Sequence, residues 1–90
     1  MKVFGQICMT LKVEENIFAN EEFEKEIYEC LERYRACNWG DLCETDWKRN
    51  DEALRSGARI FAAYKTSMGK IWIITEPDRS ATTILYPDEY

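Results

Sequence analysis

The stretch RIFAAYKTSMGKIWIITEPDRSATTILY, from Arg59 to Tyr86, decides the fold of this chain. It holds three runs rich in β-branched and aromatic residues, separated by the short polar segments SMG and PDRS. Apolar side chains alternate along each run, which is typical of strands with one buried face. The pattern predicts strands at residues 59–66, 70–76 and 81–86, the last one ended by Pro87. Connections this short join neighbouring strands, so we expect a three-stranded antiparallel meander.

The first half of the chain carries one further strand pattern and two helix patterns. Residues 2–11, KVFGQICMTL, alternate with a period of two and predict an N-terminal strand. Residues 21–36 predict a helix capped by Asn20, because their apolar residues recur at helical spacing. A second helix is predicted from Thr45 or Asp46 to about Ser56, with Gly57 as its terminator. The intervening EENIFA is ambiguous and is assigned at most one helical turn.

These elements together predict one α+β domain that spans residues 1–90. Its order is one N-terminal strand, two helices and then the three-stranded antiparallel meander, with the helices packed on one face of the sheet. A chain of this length buries roughly 60–65% of its unfolded surface, which suffices for one core.

The composition excludes several classes of protein. The chain has no histidine, which removes the usual general base and every Ser-His-Asp or Cys-His arrangement. Four cysteines are present without a Cys-x-x-Cys pair, so we expect neutral thiols and no metal site. We also expect no cofactor and no catalytic residues. No run approaches the ~20 apolar residues of a membrane helix, and no signal sequence is evident, which predicts a cytoplasmic protein without membrane attachment.

The acidic residues are strongly segregated along the chain. Residues 14–32 contain eight glutamates and one lysine, a net charge of −7 within a chain of net charge −5. A solvated face that aids solubility is one interpretation, and a surface that steers a basic partner is the other. The partner-binding candidates on the first predicted helix are Glu21, Glu22, Glu24, Glu26, Glu29 and Glu32. Direct DNA binding is not expected, because phosphate contacts need clustered lysine and arginine.

Two shorter motifs are further candidates. The segment NWGD ends the first predicted helix, and we expect Trp39 to pack beneath the helix junction, with an exposed partner-binding anchor as the alternative. Asp78, Arg79 and Ser80 lie in the last predicted turn, where they could hold a phosphate or another small ligand. The alternative is that Asp78 and Ser80 make hydrogen bonds within the turn while Arg79 pairs with a nearby acid.

The series NWGDL, NDEAL-RSG-R, AAYKT, KIWIITE, DRSATTIL and PDEY, from Asn38 to Tyr90, resembles a family of short proteins of plasmids, integrative elements and phages. Some of its members are labelled "plasmid-related protein" or "type I restriction endonuclease subunit M". The resemblance implies a mobile-element context and no particular activity. A methyltransferase is excluded by length, and the chain has no glycine-rich cofactor loop. The acidic segment between Met9 and Cys37 departs from the family pattern.

These observations lead to one functional hypothesis and two alternatives. The hypothesis is a non-enzymatic accessory protein of a mobile element, anti-restriction or anti-CRISPR-like in its specific form. Its acidic helix would bind a host or element protein that has a basic surface, and whether it forms a homo-oligomer is left open. The first alternative is a protein that binds or sequesters a nucleotide or another small ligand. The second is a toxin-like ribonuclease, because the predicted topology resembles that of ribosome-dependent mRNA interferases.

Overall fold

The computed structural model describes residues 4–90 and has an α+β fold with three helices and a four-stranded mixed sheet. The helices are α1 (Leu11–Ala19), α2 (Glu21–Arg35) and α3 (Glu44–Ser56), and the strands are β1 (Gln6–Met9), β2 (Ile60–Thr66), β3 (Gly69–Thr75) and β4 (Ala81–Leu85). A short 3₁₀ helix, Pro87–Glu89, follows β4. Each strand of the sequence prediction is present, with its bounds shifted by a few residues.

The sheet has the strand order β1-β4-β3-β2. The meander is confirmed, since β3 pairs in antiparallel fashion with both β2 and β4. The sheet as a whole is not a pure meander, because β1 joins the outer side of β4 in parallel register, with Gln6 opposite Ala81. The amide of Gln6 donates to the carbonyl oxygen of Ser80 at 3.1 Å. This pairing joins segments more than 70 residues apart in sequence. A local sequence pattern does not predict a contact over such a separation.

The predicted N-terminal strand is too long, and one helix was missed. β1 ends at Met9, and residues 2 and 3 of the prediction lie outside the described part of the chain. The Thr10 hydroxyl accepts a hydrogen bond from the amide of Val13 and so starts α1, a nine-residue helix where at most one turn was expected. Val13 is the only residue of α1 that is fully buried. Because α1 turns so few apolar side chains towards the core, its sequence shows only a weak helical pattern.

Helix α2 forms as predicted. Asn20 caps it, because the side-chain oxygen accepts from the amides of Glu22 and Phe23 at 3.0 and 3.2 Å. The side chains that α2 buries are the five of the predicted stripe: Phe23, Ile27, Cys30, Leu31 and Tyr34. They meet one face of the sheet, in a core that includes Ile60, Ile73 and Ile84.

The junction between α2 and α3 is a buried corner that also covers the edge of β2. Cys37 takes a positive φ of 63° there, and Gly40 has a φ of 78°. Gly40 forms a bridge with Ala63, and a Cβ at Gly40 would overlap the Ala63 carbonyl oxygen. α3 begins at Glu44 without a side-chain cap from Thr45 or Asp46, and Gly57 ends it in a left-handed conformation, as predicted.

A chain of hydroxyl groups crosses the core. The hydroxyl groups of Tyr34 and Thr75 are 2.5 Å apart, and those of Thr75 and Thr82 are 2.6 Å apart. Thr82 donates in turn to the carbonyl oxygen of Phe4. Each of these buried hydroxyl groups has a hydrogen-bond partner. Their burial between α2 and the sheet therefore does not incur the free-energy cost of an unsatisfied polar group.

Candidate functional site

The eight glutamates of residues 14–32 lie on two adjacent helices, and we call this surface the acidic face. Glu14 and Glu15 belong to α1, while the other six occupy the part of the circumference of α2 that the core leaves free. Six of the eight are exposed, and Glu24 and Glu26 are half-buried. The fold therefore brings every acidic residue of the sequence-based candidate set onto one helical layer.

The acidic face has little local countercharge. The ion pairs within residues 4–90 are Lys12–Asp88, Lys48–Glu44, Arg49–Asp46 and Lys65–Asp41, and they include none of the eight glutamates. Arg33, which belongs to α2, points its guanidinium over the Tyr64 ring at 5.0 Å. The negative potential of the face is thus left available to a partner from solution.

Glu26 differs from the other glutamates of the acidic face. Its carboxylate accepts from the Ser67 amide at 2.9 Å and from the Ser67 hydroxyl at 2.5 Å. These bonds tie the middle of α2 to the turn between β2 and β3. Glu26 therefore positions the helix and is the member of the set least free to contact a partner.

Exposed apolar side chains border the acidic face, and sequence reasoning missed them. Phe18 is 90% exposed, Leu11 71% and Tyr28 64%. Phe18 and Ile17 line a shallow depression between α1 and α2 together with Glu21 and Glu24. Leu11 and Phe18 are seven residues apart, which is two helical turns, so this spacing could have indicated a second apolar stripe on α1.

Trp39 does not belong to this surface. It is fully buried, in agreement with the expectation that it packs beneath the helix junction, and its ring meets Tyr34 edge-on at 5.2 Å. The indole N–H donates to the carboxylate of Asp51 at 3.0 Å, which satisfies its hydrogen-bonding need. The burial of Trp39 contradicts the alternative prediction that this side chain is an exposed partner-binding anchor.

The turn that carries Asp78, Arg79 and Ser80 is largely satisfied by its own contacts. The amide and hydroxyl of Ser80 donate to the Asp78 carboxylate at 3.0 and 2.6 Å, and these bonds lower the pKa of Asp78. The Arg79 guanidinium donates to the carbonyl oxygens of Ala53, Ala58 and Glu76. Arg79 and Ser80 also border an open depression beside β1, together with Arg35, a residue that the sequence did not single out.

The thiol and phenol groups of the core are held in their neutral forms. Burial raises the pKa of Cys30 from 9.0 to about 11 and that of Tyr34 from 10.0 to about 12. A thiol that stays protonated at neutral pH is a poor nucleophile and a poor metal ligand. Within residues 4–90, no three histidine, cysteine, aspartate or glutamate residues come together as a set that could hold a metal ion.

None of the helices described between residues 4 and 90 has the length and apolar character needed to cross a membrane. Comparison of the chain with protein-family models, with curated proteins and with solved structures finds no match.

Proposed function

We propose that this chain is a binding protein whose acidic face docks onto a partner protein with a basic surface and an apolar cleft. The observation that carries the proposal is Phe18, a 90% exposed aromatic side chain beside Glu21 and Glu24. Isolated exposed apolar residues are common on proteins. An almost fully exposed phenylalanine beside carboxylates that have no ion-pair partner within residues 4–90 has the make-up of an interface anchor with a charged rim.

The two components of this surface would contribute differently to binding. The carboxylates attract a basic partner over a distance of about 8–10 Å at physiological salt, which raises the association rate. Phe18 loses its contact with water only in the complex, so its contribution lies mainly in slower dissociation. The resemblance to mobile-element proteins supports a host or element protein as the partner, with interference in host defence as the specific form of the proposal.

The proposal is tested by capturing the partner from an extract of the native cells and then titrating it in purified form. We expect Phe18→Ser to weaken binding by at least about tenfold, because truncated aromatic anchors cost about 2 kcal/mol or more. The double change Glu21→Gln and Glu24→Gln should lower the association rate and flatten its dependence on salt.

Glu52→Gln serves as the matched control, since Glu52 is an exposed glutamate on α3, outside the acidic face. It should leave both the affinity and the salt dependence unchanged. A partner that binds all three variants as tightly as the unmodified chain would overturn the proposal.

A further inference from the structure

The side of the sheet that faces away from the core cluster forms a second distinctive surface. Along β2 and β3, side chains alternate between the core and this surface, which we call the open face. The residues of β2, β3 and β4 on the open face are Phe61, Ala63, Lys65, Lys70, Trp72, Ile74, Thr83 and Leu85. Their strand neighbours on the other side, among them Ala62, Tyr64, Ile71 and Ile73, belong to the core beneath the helices.

Three aromatic rings form a continuous layer on the open face. Phe61 and Trp72 meet edge-on with ring centroids 4.9 Å apart, and Trp72 meets Tyr90 at 5.8 Å. Tyr90 follows the 3₁₀ helix and is 67% exposed, whereas Ile74 is 3% exposed. The apolar residues of this face are thus shielded by rings whose outer surfaces remain in contact with solvent.

Cationic side chains flank the aromatic layer. The Arg59 guanidinium lies over the Tyr90 ring at 5.0 Å. Lys65 and Lys70 are direct cross-strand partners in the register of β2 and β3. Like charges directly opposite each other destabilise a sheet, and an anion that contacts both side chains would relieve that cost. Asp41 forms an ion pair with Lys65 at 3.6 Å, whereas Arg59 and Lys70 take part in none of the ion pairs within residues 4–90.

We propose that the open face binds single-stranded RNA. Aromatic rings on neighbouring strands of a sheet stack unpaired bases, and flanking lysine and arginine residues contact the phosphates. Gln6 and Thr83 lie on the same face and offer hydrogen-bonding groups for base edges and ribose hydroxyls. A second copy of the chain fits less well, because two open faces packed against each other would bring surfaces of like charge together.

The open face and the acidic face are different surfaces of the molecule. The helices that carry the acidic face pack against the core side of the sheet, and the rings lie on the other side. RNA on the open face would therefore leave Phe18 free for a protein partner, and the two proposals can fail independently.

The test uses fluorescence anisotropy with a labelled oligouridine of about twelve nucleotides, a length within the range that single-strand-binding domains cover. Contact of Arg59, Lys65 and Lys70 with three phosphates predicts that log K falls with log salt at a slope of about −2. Tyr90→Leu keeps an apolar side chain beside Trp72 but removes the stacking surface, and should weaken binding at least about fivefold. Lys70→Gln should weaken binding and make the salt slope less steep by about 0.7.

The controls are Phe18→Leu, an aromatic replacement on the acidic face, and Lys48→Gln, an exposed lysine on α3. Both should bind oligouridine like the unmodified chain, and oligothymidine of the same length should bind more weakly. The proposal is overturned if oligouridine shows no binding at low salt, or if oligothymidine or a duplex binds equally well. It is also overturned if sedimentation shows that Tyr90→Leu abolishes self-association while RNA affinity is unchanged.

Discussion

At the scale of single residues, Arg79 is a candidate for ligand binding whose side chain stabilises the fold. Its guanidinium donates to the carbonyl oxygens of Ala53 at 2.6 Å and Ala58 at 2.7 Å, at the end of α3 and just beyond it. Carbonyl groups at a helix C-terminus lack partners within the helix and carry partial negative charge, so a cation there is favourable. The fork-shaped group, for which ligand binding was one of two roles considered from the sequence, thus connects the last turn of α3 to the turn before β4.

We expect Arg79→Ala to lower the free energy of unfolding by about 1–2 kcal/mol. The loss of several charge-assisted hydrogen bonds sets this scale, reduced because the side chain is half exposed. The stability of Arg79→Lys should lie between that of the unmodified chain and that of Arg79→Ala, because an ammonium group keeps the charge without the fork geometry. Urea unfolding followed by far-UV circular dichroism measures the effect. An unchanged stability together with the loss of affinity for a nucleotide would favour the ligand role instead.

At the scale of secondary-structure elements, the outer edge of β2 is blocked by side-chain and loop contacts. The Asn50 side chain donates to the Phe61 carbonyl oxygen at 2.6 Å and accepts from the Phe61 amide at 3.1 Å. Ala63 is bound in the same manner by the backbone of Trp39 and Asp41. Since an edge strand with free backbone groups invites pairing with other chains, these contacts keep β2 from self-association.

The change Asn50→Ala removes both bonds to Phe61 from a side chain that is only 5% exposed. We expect a destabilisation of about 2 kcal/mol, because the backbone groups of Phe61 lose partners in a partly buried site. The freed edge should also increase association at high protein concentration. Urea unfolding and sedimentation velocity measure the two effects, with Arg55→Ala on exposed α3 as the control. A change smaller than about 0.5 kcal/mol, the range of ordinary surface substitutions, would contradict this role.

At the scale of the whole molecule, the charges are arranged on two sides of a two-layer fold. The helical layer holds eight glutamates with one lysine between them in sequence, and the open face of the sheet holds Arg59, Lys65 and Lys70. The chain is acidic overall, with a net charge of −5, yet a cationic partner and an anionic one would approach opposite sides. The eight glutamates and these three cations thus lie on opposite sides of the sheet.

Stability should depend on pH in the alkaline range and stay nearly constant near neutrality. The chain has no histidine to titrate between pH 6 and 8. Burial raises the folded-state pKa of Cys30 to about 11 and that of Tyr34 to about 12, and it raises the pKa of Tyr64 as well. Groups with a raised pKa contribute their full stability below the unfolded value, and lose it as pH rises through the interval up to the folded value.

The free energy of unfolding should therefore begin to fall near pH 9, where unfolded cysteine ionises. It should fall by about 1.4 kcal/mol per pH unit for each buried group in its interval. Cys30→Ala should make the decline that begins near pH 9 smaller, with only the contribution of Cys37, whose pKa burial also raises, lost before unfolded tyrosine ionises near pH 10. Urea unfolding at a series of pH values from 7 to 11 measures the curve. A stability that stays constant up to pH 11 would contradict the burial of these groups.

The sequence alone determined the three strands of the meander, helices α2 and α3 and the gathering of the acids. The alternation of residues 59–86, the Asn20 cap and the Gly57 terminator each act within a few residues, so their signals survive without the fold. The stripe of five buried residues on α2 and the acids around it follow from the same helical period.

The tertiary structure decided what depends on contacts between distant residues. Packing produces the parallel pairing of β1 with β4, the hydrogen bonds from Arg79 to α3 and the exposure of Phe18. The preferences of single residues for helix or strand do not predict these features. The open face is the clearest case, because Arg59, Lys70, Trp72 and Tyr90 are spread over 32 residues of a chain whose composition is acidic. Only the register of the strands and the return of the C-terminus bring these residues onto one surface.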